Sequence, residues 1–147
     1  MVLALHPGTD IAAGALGPRY FPPGWYVYVG SALGGLFPRV RRHVRGGGKT
    51  HWHIDYLRRH ADVVEVWYLV SETRWECAWY KAASTMPGAR VAHRRFGSSG
   101  CACASHLVHF TSQPSFDDFR RRLGGRGRGL QKLTPAEEGW RQHFTAD

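Results

Sequence analysis

The sequence predicts an α+β domain in which a small antiparallel sheet of about three strands is flanked by helices. Residues 25–29 and 63–70 are rich in β-branched and aromatic residues and of strand length, and the apolar run at 2–6 reads as a further strand. Between and after them lie segments whose apolar residues recur three or four positions apart, the helical period. A chain of 147 residues, 43% hydrophobic, can bury a core without disulfides, so one domain is expected.

The elements follow in order. Residues 2–6 and 25–29 are expected to pair as antiparallel neighbours across a connection that ends in Pro22-Pro23-Gly24. Gly30, Gly34 and Gly35 break the second strand, and Pro38 opens a helix on which Leu36, Val40 and Val44 face the core until Gly46 to Gly48 stop it. Thr50 is expected to cap a helix through His60, with Ile54, Leu57 and Ala61 buried. After the strand at 63–70, Ser71 caps a predicted helix through Met86, with Trp75, Ala78, Trp79, Ala82 and Met86 as its apolar stripe. A short strand at 90–94 and a loop of small residues at 96–105 lead to an apolar run at 106–110. Ser115 is positioned to cap a helix through Leu123. Residues 124–129, glycine alternating with arginine, read as a flexible basic linker, and Thr134-Pro135-Ala136-Glu137 as the start of a terminal helix. The expected division is a domain over 1–112 and an arginine-rich extension over 113–147.

Twenty basic against eleven acidic residues give a formal charge of +9, which suits a polyanionic partner. Only Lys49, Lys81 and Lys132 are lysine, so the charge is carried by arginine, the better bidentate phosphate ligand. An arginine bias of this size also arises from GC-rich coding. No run of 18 apolar residues exists and the first residues lack a signal-peptide pattern, so a cytoplasmic protein without membrane partners is expected. Three cysteines, two of them in Cys101-Ala102-Cys103, argue against a secreted disulfide framework.

Two constellations carry chemistry. Tyr28-Val29-Gly30 joins a strand end to a glycine turn, and Arg39 and His43, one helical turn apart, can reach a single phosphate beside it. On its own the arginine series Arg39, Arg41, Arg42 and Arg45 is commonly a solvated helix face. The second constellation is Cys101, Cys103 and His106, which Cys77 would complete as a tetrahedral zinc set; free thiols and a hydrogen-bonded histidine are the competing reading. On a helix His51 and Asp55 share a face while His53 turns away, which argues against all three binding one metal.

Tyr28-Val29-Gly30, Leu36-x-x-Arg39-x-x-x-His43 and the helical Glu76 resemble the GIY-YIG nuclease superfamily. The segments at 26–32 and 51–57, Glu76-Cys77, Phe96-Gly97-Ser98-Ser99 and Cys101-x-Cys103-x-Ser105-His106 resemble, more narrowly, a GIY-YIG-like family also found fused to endonuclease III-type DNA glycosylases. The resemblance implies a three-stranded sheet with flanking helices and hydrolysis of DNA phosphodiesters assisted by Mg2+ or Mn2+, with DNA repair suggested by the fused relatives. It assigns Arg39 as phosphate clamp, Glu76 as ligand of the divalent ion, and Tyr28 and His43 as residues that orient water and phosphate. Gly30, Ser31, Arg42, His51 and His53 would contact nucleic acid. The superfamily's first-strand tyrosine has no counterpart at 2–6. Either Tyr26, which alternation places on the face of Tyr28, substitutes for it, or the site is altered, or the true start lies upstream of Met1. The expected function is a metal-dependent nuclease. The alternatives are a binding module without turnover and a zinc-stabilised interaction domain that partners a repair enzyme.

Overall fold

The computed structural model describes residues 1–135 and shows an α+β fold. Its strands are β1 (Val2–Leu5), β2 (Thr9–Ala12), β3 (Pro18–Phe21), β4 (Gly24–Tyr28), β5 (Asp62–Tyr68), β6 (Arg90–Val91), β7 (Leu107–Phe110) and β8 (Gln131–Leu133). The helices are α1 (Leu36–Arg45), α2 (His53–Arg58), α3 (Glu76–Ser84) and α4 (Phe116–Leu123). Among the described residues the main sheet has six strands in the order β6-β7-β4-β1-β5-β8, with β2 and β3 forming a separate hairpin.

The expected antiparallel pairing of the first strand with the strand at 25–29 is present, with Val2 opposite Val27 and Leu5 opposite Gly24. The strand count differs from the expected three. β7 adds to β4, β6 to β7 and β8 to β5, all antiparallel. β6 and β8 are two and three residues long and gain their ladders from neighbours already in place, so local composition says little about them.

Alternation along the strands divides the core. Val2, Val27, Trp67, Val108 and Phe110 pack under α3 and α4 on one face. Leu3, Leu5, Tyr26, Tyr28 and Leu107 meet Ile54 and Leu57 of α2 and the β2–β3 hairpin on the other. The predicted stripe of α1 is observed: Val40, with Leu36 and Val44, packs on Val66, Tyr68 and Leu133.

The C-terminal segment departs from its expected role as an extension with a linker. Phe119 and Leu123 of α4, and Leu130 beyond it, are buried in the same cluster as Val2 and Trp67. Gly124–Gly127 forms a 3-10 turn that feeds β8. A Cβ on Gly127 would come within 3.0 Å of the Arg120 carbonyl, so this glycine permits close packing rather than mobility. The expected terminal helix from Thr134-Pro135 falls on residues outside the described ones.

Two caps move. Thr50 does not start α2, because Asp55 accepts from the backbone N–H groups of His51 and Trp52, at 2.8 Å each, and sets the start at His53. Ser71 accepts locally from Thr73 N–H and Trp75 Nε1, and α3 begins only at Glu76. The third cap is as expected: Ser115 Oγ accepts from Asp118 N–H at 3.2 Å. Ser115→Ala is expected to cost about 1 kcal/mol in denaturant-induced unfolding. An unchanged midpoint and slope would show that the cap contributes nothing.

Candidate functional site

A cleft of about 450 Å³ opens at the end of the sheet where β4 and β5 finish. The turn after β4, one face of α1, the segment at 69–75 and the start of α3 surround it, so four separate parts of the chain supply its walls. Tyr28, Gly30, Ser31, Arg39, His43 and Glu76 all line it. Residues spaced across nearly fifty positions of sequence are thus brought to one cavity by the pairing of β4 with β1 and of β1 with β5.

Tyr28 is the last residue of β4 and is 7% exposed. Burial raises its hydroxyl above the ordinary phenol range, and Arg39, whose charge lies beside it, offsets part of the rise. The phenol is therefore a protonated donor at neutral pH. A Cβ added to Gly30 would lie 3.5 Å from both the Tyr28 hydroxyl and Arg39 Nη2, and 3.3 Å from the Tyr28 ring. Glycine here leaves open the space in front of both groups. The Arg39 guanidinium also stands 5.7 Å from the centre of the Trp52 ring, a cation–π contact that limits its swing.

His43 is 3% exposed, and its Nε2 has no hydrogen-bond partner among the described residues. Its Nδ1 lies 4.0 Å from Asp55 Oδ1. Burial, reinforced by the charge of Arg39, lowers its pKa to about 4, so it is neutral at pH 7. A neutral imidazole whose buried, unpartnered Nε2 carries no proton can accept a hydrogen bond from a water that reaches it, but is too weak a base to take that proton. Trp79 Nε1 is a second buried group without a partner on the same cleft. Buried polar atoms are seldom left unpaired, so two in one cavity fit a site that receives polar ligands.

Other expected contacts are placed elsewhere. Tyr26 is on the same sheet face as Tyr28, yet it is fully buried and its hydroxyl donates to the Pro22 carbonyl at 2.5 Å. Burial raises its pKa further than that of an ordinary phenol, and it does not line the cleft. Arg42 is paired with Asp55 at 2.5 Å. Burial alone would raise the Asp55 carboxyl, but the Trp52 and His51 N–H groups and Arg42 outweigh it and hold the pKa below its ordinary value. His51 is exposed and packs edge-on against Trp52. His53 accepts from Gly97 N–H through Nδ1 at 2.9 Å. Because α2 starts at His53, the helical face expected to unite His51 and Asp55 is replaced by a capping contact.

The sequence assigns no role to Trp52, which lies within the resembling segment at 51–57, or to the cleft wall at 69–75. That wall falls on the expected strand end at 69–70, the cap Ser71 and the first turn of a longer helix.

The second constellation is also assembled. One ligand atom each from Cys77, Cys101, Cys103 and His106 lies within 4.8 Å of the other three, and the set could hold a metal ion such as zinc. Cys101 Sγ is 3.3 Å from His106 Nε2. All three thiols are free. Cys77 follows Glu76 directly on α3, so cleft and thiolate cluster share one helical turn.

A family model described as Domain of unknown function DUF123 matches residues 1–125, and the chain belongs to that family. No curated protein and no solved structure matches it.

Proposed function

We propose that this DUF123-family protein is a GIY-YIG-type phosphodiesterase that binds DNA across the cleft and hydrolyses it with magnesium or manganese, in the service of DNA repair. The observation that carries the reading is the meeting of Tyr28, Arg39, His43 and Glu76 in one cavity, with Gly30 leaving room for a phosphate against the first two. Glu76 would hold the divalent ion, which takes one or two carboxylates and fills its remaining positions with water and phosphate oxygens. The donor set fits: the cleft offers Glu76, with Glu72 on its rim, and no crowd of ligands that would exclude substrate. When bound, the ion supplies Lewis-acid stabilisation of phosphate and leaving oxygens.

The chain's own residues do the rest. Arg39, beside Tyr28 and limited in its swing by the Trp52 ring, binds non-bridging phosphate oxygens and stabilises charge as it develops. Tyr28 presents a hydroxyl donor to a phosphate oxygen or to the attacking water. His43 orients water through Nε2. A structural zinc on the Cys77, Cys101, Cys103 and His106 cluster is compatible with this reading and does not depend on it.

A second reading, binding without turnover, is favoured by one observation. β1 carries no tyrosine, and the Tyr26 hydroxyl is committed to the Pro22 carbonyl outside the cleft. The experiment that separates the two is incubation of supercoiled and branched DNA with the protein and Mg2+ or Mn2+, beside a binding titration in rising salt. Both readings predict log affinity falling linearly with log salt, with a slope of about 0.9 per phosphate neutralised on duplex. Cleavage selects the first, salt-dependent binding without cleavage the second, and salt-insensitive behaviour removes both.

A further inference from the structure

The loop between β6 and β7 is anchored at Phe96, which is buried in the core, but the stretch that follows has little of its own to hold it. From Gly97 to Ser105 it contains only glycine, serine, alanine and cysteine, so no large apolar side chain pins it down. Yet it is folded back tightly: Arg95 N–H donates to the Ala104 carbonyl at 2.6 Å, and His106 N–H to the Phe96 carbonyl at 2.7 Å. Arg95 sits at φ 64°, where a side chain other than glycine is strained. Ser98 Oγ is buried without a partner. A segment this costly to order needs a further source of stabilisation.

The cysteines supply its chemistry. Cys101, Cys103 and His106 come from the loop and Cys77 from the first turn of α3, so any ion they share cross-links the two. A tetrahedron with zinc–sulfur bonds of about 2.3 Å has edges of about 3.8 Å, and the four ligand atoms already lie within 4.8 Å. Three soft thiolates and one imidazole select zinc over the hard cations that a phosphate cleft would use. The His106 ring meets Cys101 through Nε2, and its Cβ packs against Gly97, where an added Cβ would lie 3.4 Å away.

Two short routes lead from this cluster to the cleft. The first is covalent, Cys77 to Glu76. The second runs from His106 through Gly97, whose N–H is bound by His53 and where a Cβ would lie 3.0 Å from the Tyr28 ring.

We infer that Cys77, Cys101, Cys103 and His106 bind one zinc ion, and that this ion positions Glu76 and Tyr28 by stapling the loop at 95–106 to the start of α3. The zinc half stands alone; the positioning half rests on the phosphodiesterase reading of the cleft. Cys77, Cys101, Cys103 and His106 are positioning residues, and binding releases the thiol protons as the thiolates form.

The test uses the full chain purified without chelator. Elemental analysis is expected to give about one zinc per chain, and replacement by cobalt a thiolate charge-transfer band with tetrahedral d–d absorption. Less than about a tenth of an equivalent overturns the proposal. Stripping the zinc reversibly is expected to raise amide exchange at 95–106 and 75–78 while the β1, β4 and β5 amides stay protected. It is also expected to weaken Mn2+ binding, read by its paramagnetic resonance signal, about tenfold, with recovery on re-addition of zinc. Exchange and Mn2+ affinity unchanged by stripping overturn the positioning role. His106→Ala should lose zinc, and His106→Cys, which keeps four soft ligands, should retain both zinc and Mn2+ affinity; stripping and reloading the parent covers the case in which His106→Ala does not fold. A zinc-loaded, exchange-protected loop in a protein whose Glu76→Ala variant binds Mn2+ as the parent does would sink the cleft reading and leave the zinc site standing.

Discussion

Arg39→Ala and Glu76→Ala are each expected to lower DNA cleavage in magnesium or manganese by about 10²–10³-fold, or roughly 3–4 kcal/mol of transition-state stabilisation. The size follows from their position. Arg39 lies beside the Tyr28 hydroxyl and stands 5.7 Å from the centre of the Trp52 ring, so its charge is in place before the substrate arrives. A preorganised, half-buried donor is worth more than the same arginine on an open helix. Glu76 acts differently, since its loss removes the anchor of the divalent ion. Two measurements separate the roles. Glu76→Ala should lose Mn2+ binding and keep salt-dependent DNA affinity, whereas Arg39→Ala should keep Mn2+ and reduce the salt slope by about one phosphate. Cleavage undiminished in either folded variant removes that residue from the mechanism. Equal cleavage by all three proteins points to a contaminant and leaves binding as the function.

The cleft was more legible in the sequence than the sheet around it, and the reason is physical. Arg39 and His43 are four apart on a helix with Leu36, Val40 and Val44 on its buried stripe, and a 3.6-residue period fixes which residues share a face. The meeting of that helix with Glu76, by contrast, depends on sheet order, which no local pattern reports. β2, β3 and β8 escaped notice because each carries a single buried apolar residue, Ile11, Phe21 and Leu133; β2 and β3 exist by pairing with each other, and β8 by adding to the edge at β5. The glycine-rich run at 124–129 misled for a related reason. Glycine signals mobility in an open chain, but Gly127 is buried at the Arg120 carbonyl, where a close approach requires it. Ser71 and Thr50 have the right chemistry for caps, and the boundaries shifted because nearer donors and acceptors claimed the same groups. The thiolate cluster is intermediate: Cys101, Cys103 and His106 are close in sequence, and only the packing of α3 on β7 brings Cys77 to them.

The second large effect concerns pH and stability. His43 has a folded pKa of about 4 because burial, and then Arg39 and Arg42, disfavour its charged form, with Asp55 opposing and the Met1 amine adding a small push in the same direction as the arginines. In the unfolded chain the same imidazole takes a proton near its ordinary value of about 6.5. The unfolded state therefore binds more protons in this interval, and stability that is fully present above pH 6.5 is lost as pH falls toward 4, below which no further loss comes from this group. The interval of about 2.5 pH units corresponds to roughly 3 kcal/mol as an upper figure. His43→Gln removes the titration and keeps an amide of similar size, so its stability should vary much less between pH 6.5 and 4. The comparison of slopes, not of absolute stabilities, is what matters, because glutamine changes the packing as well. Asp55 contributes its loss at the acid end of the range, because its carboxyl is held below its ordinary value. The Met1 amine, which burial lowers to about 5, and His53, His93 and His106, also lowered by burial, add losses common to both proteins, so the difference between the two slopes isolates His43. Urea unfolding of both proteins at half-unit steps reads the difference. Parallel losses in parent and variant would mean that His43 is solvated or protonated in the folded protein, and its open Nε2 would then be no place to orient a neutral water.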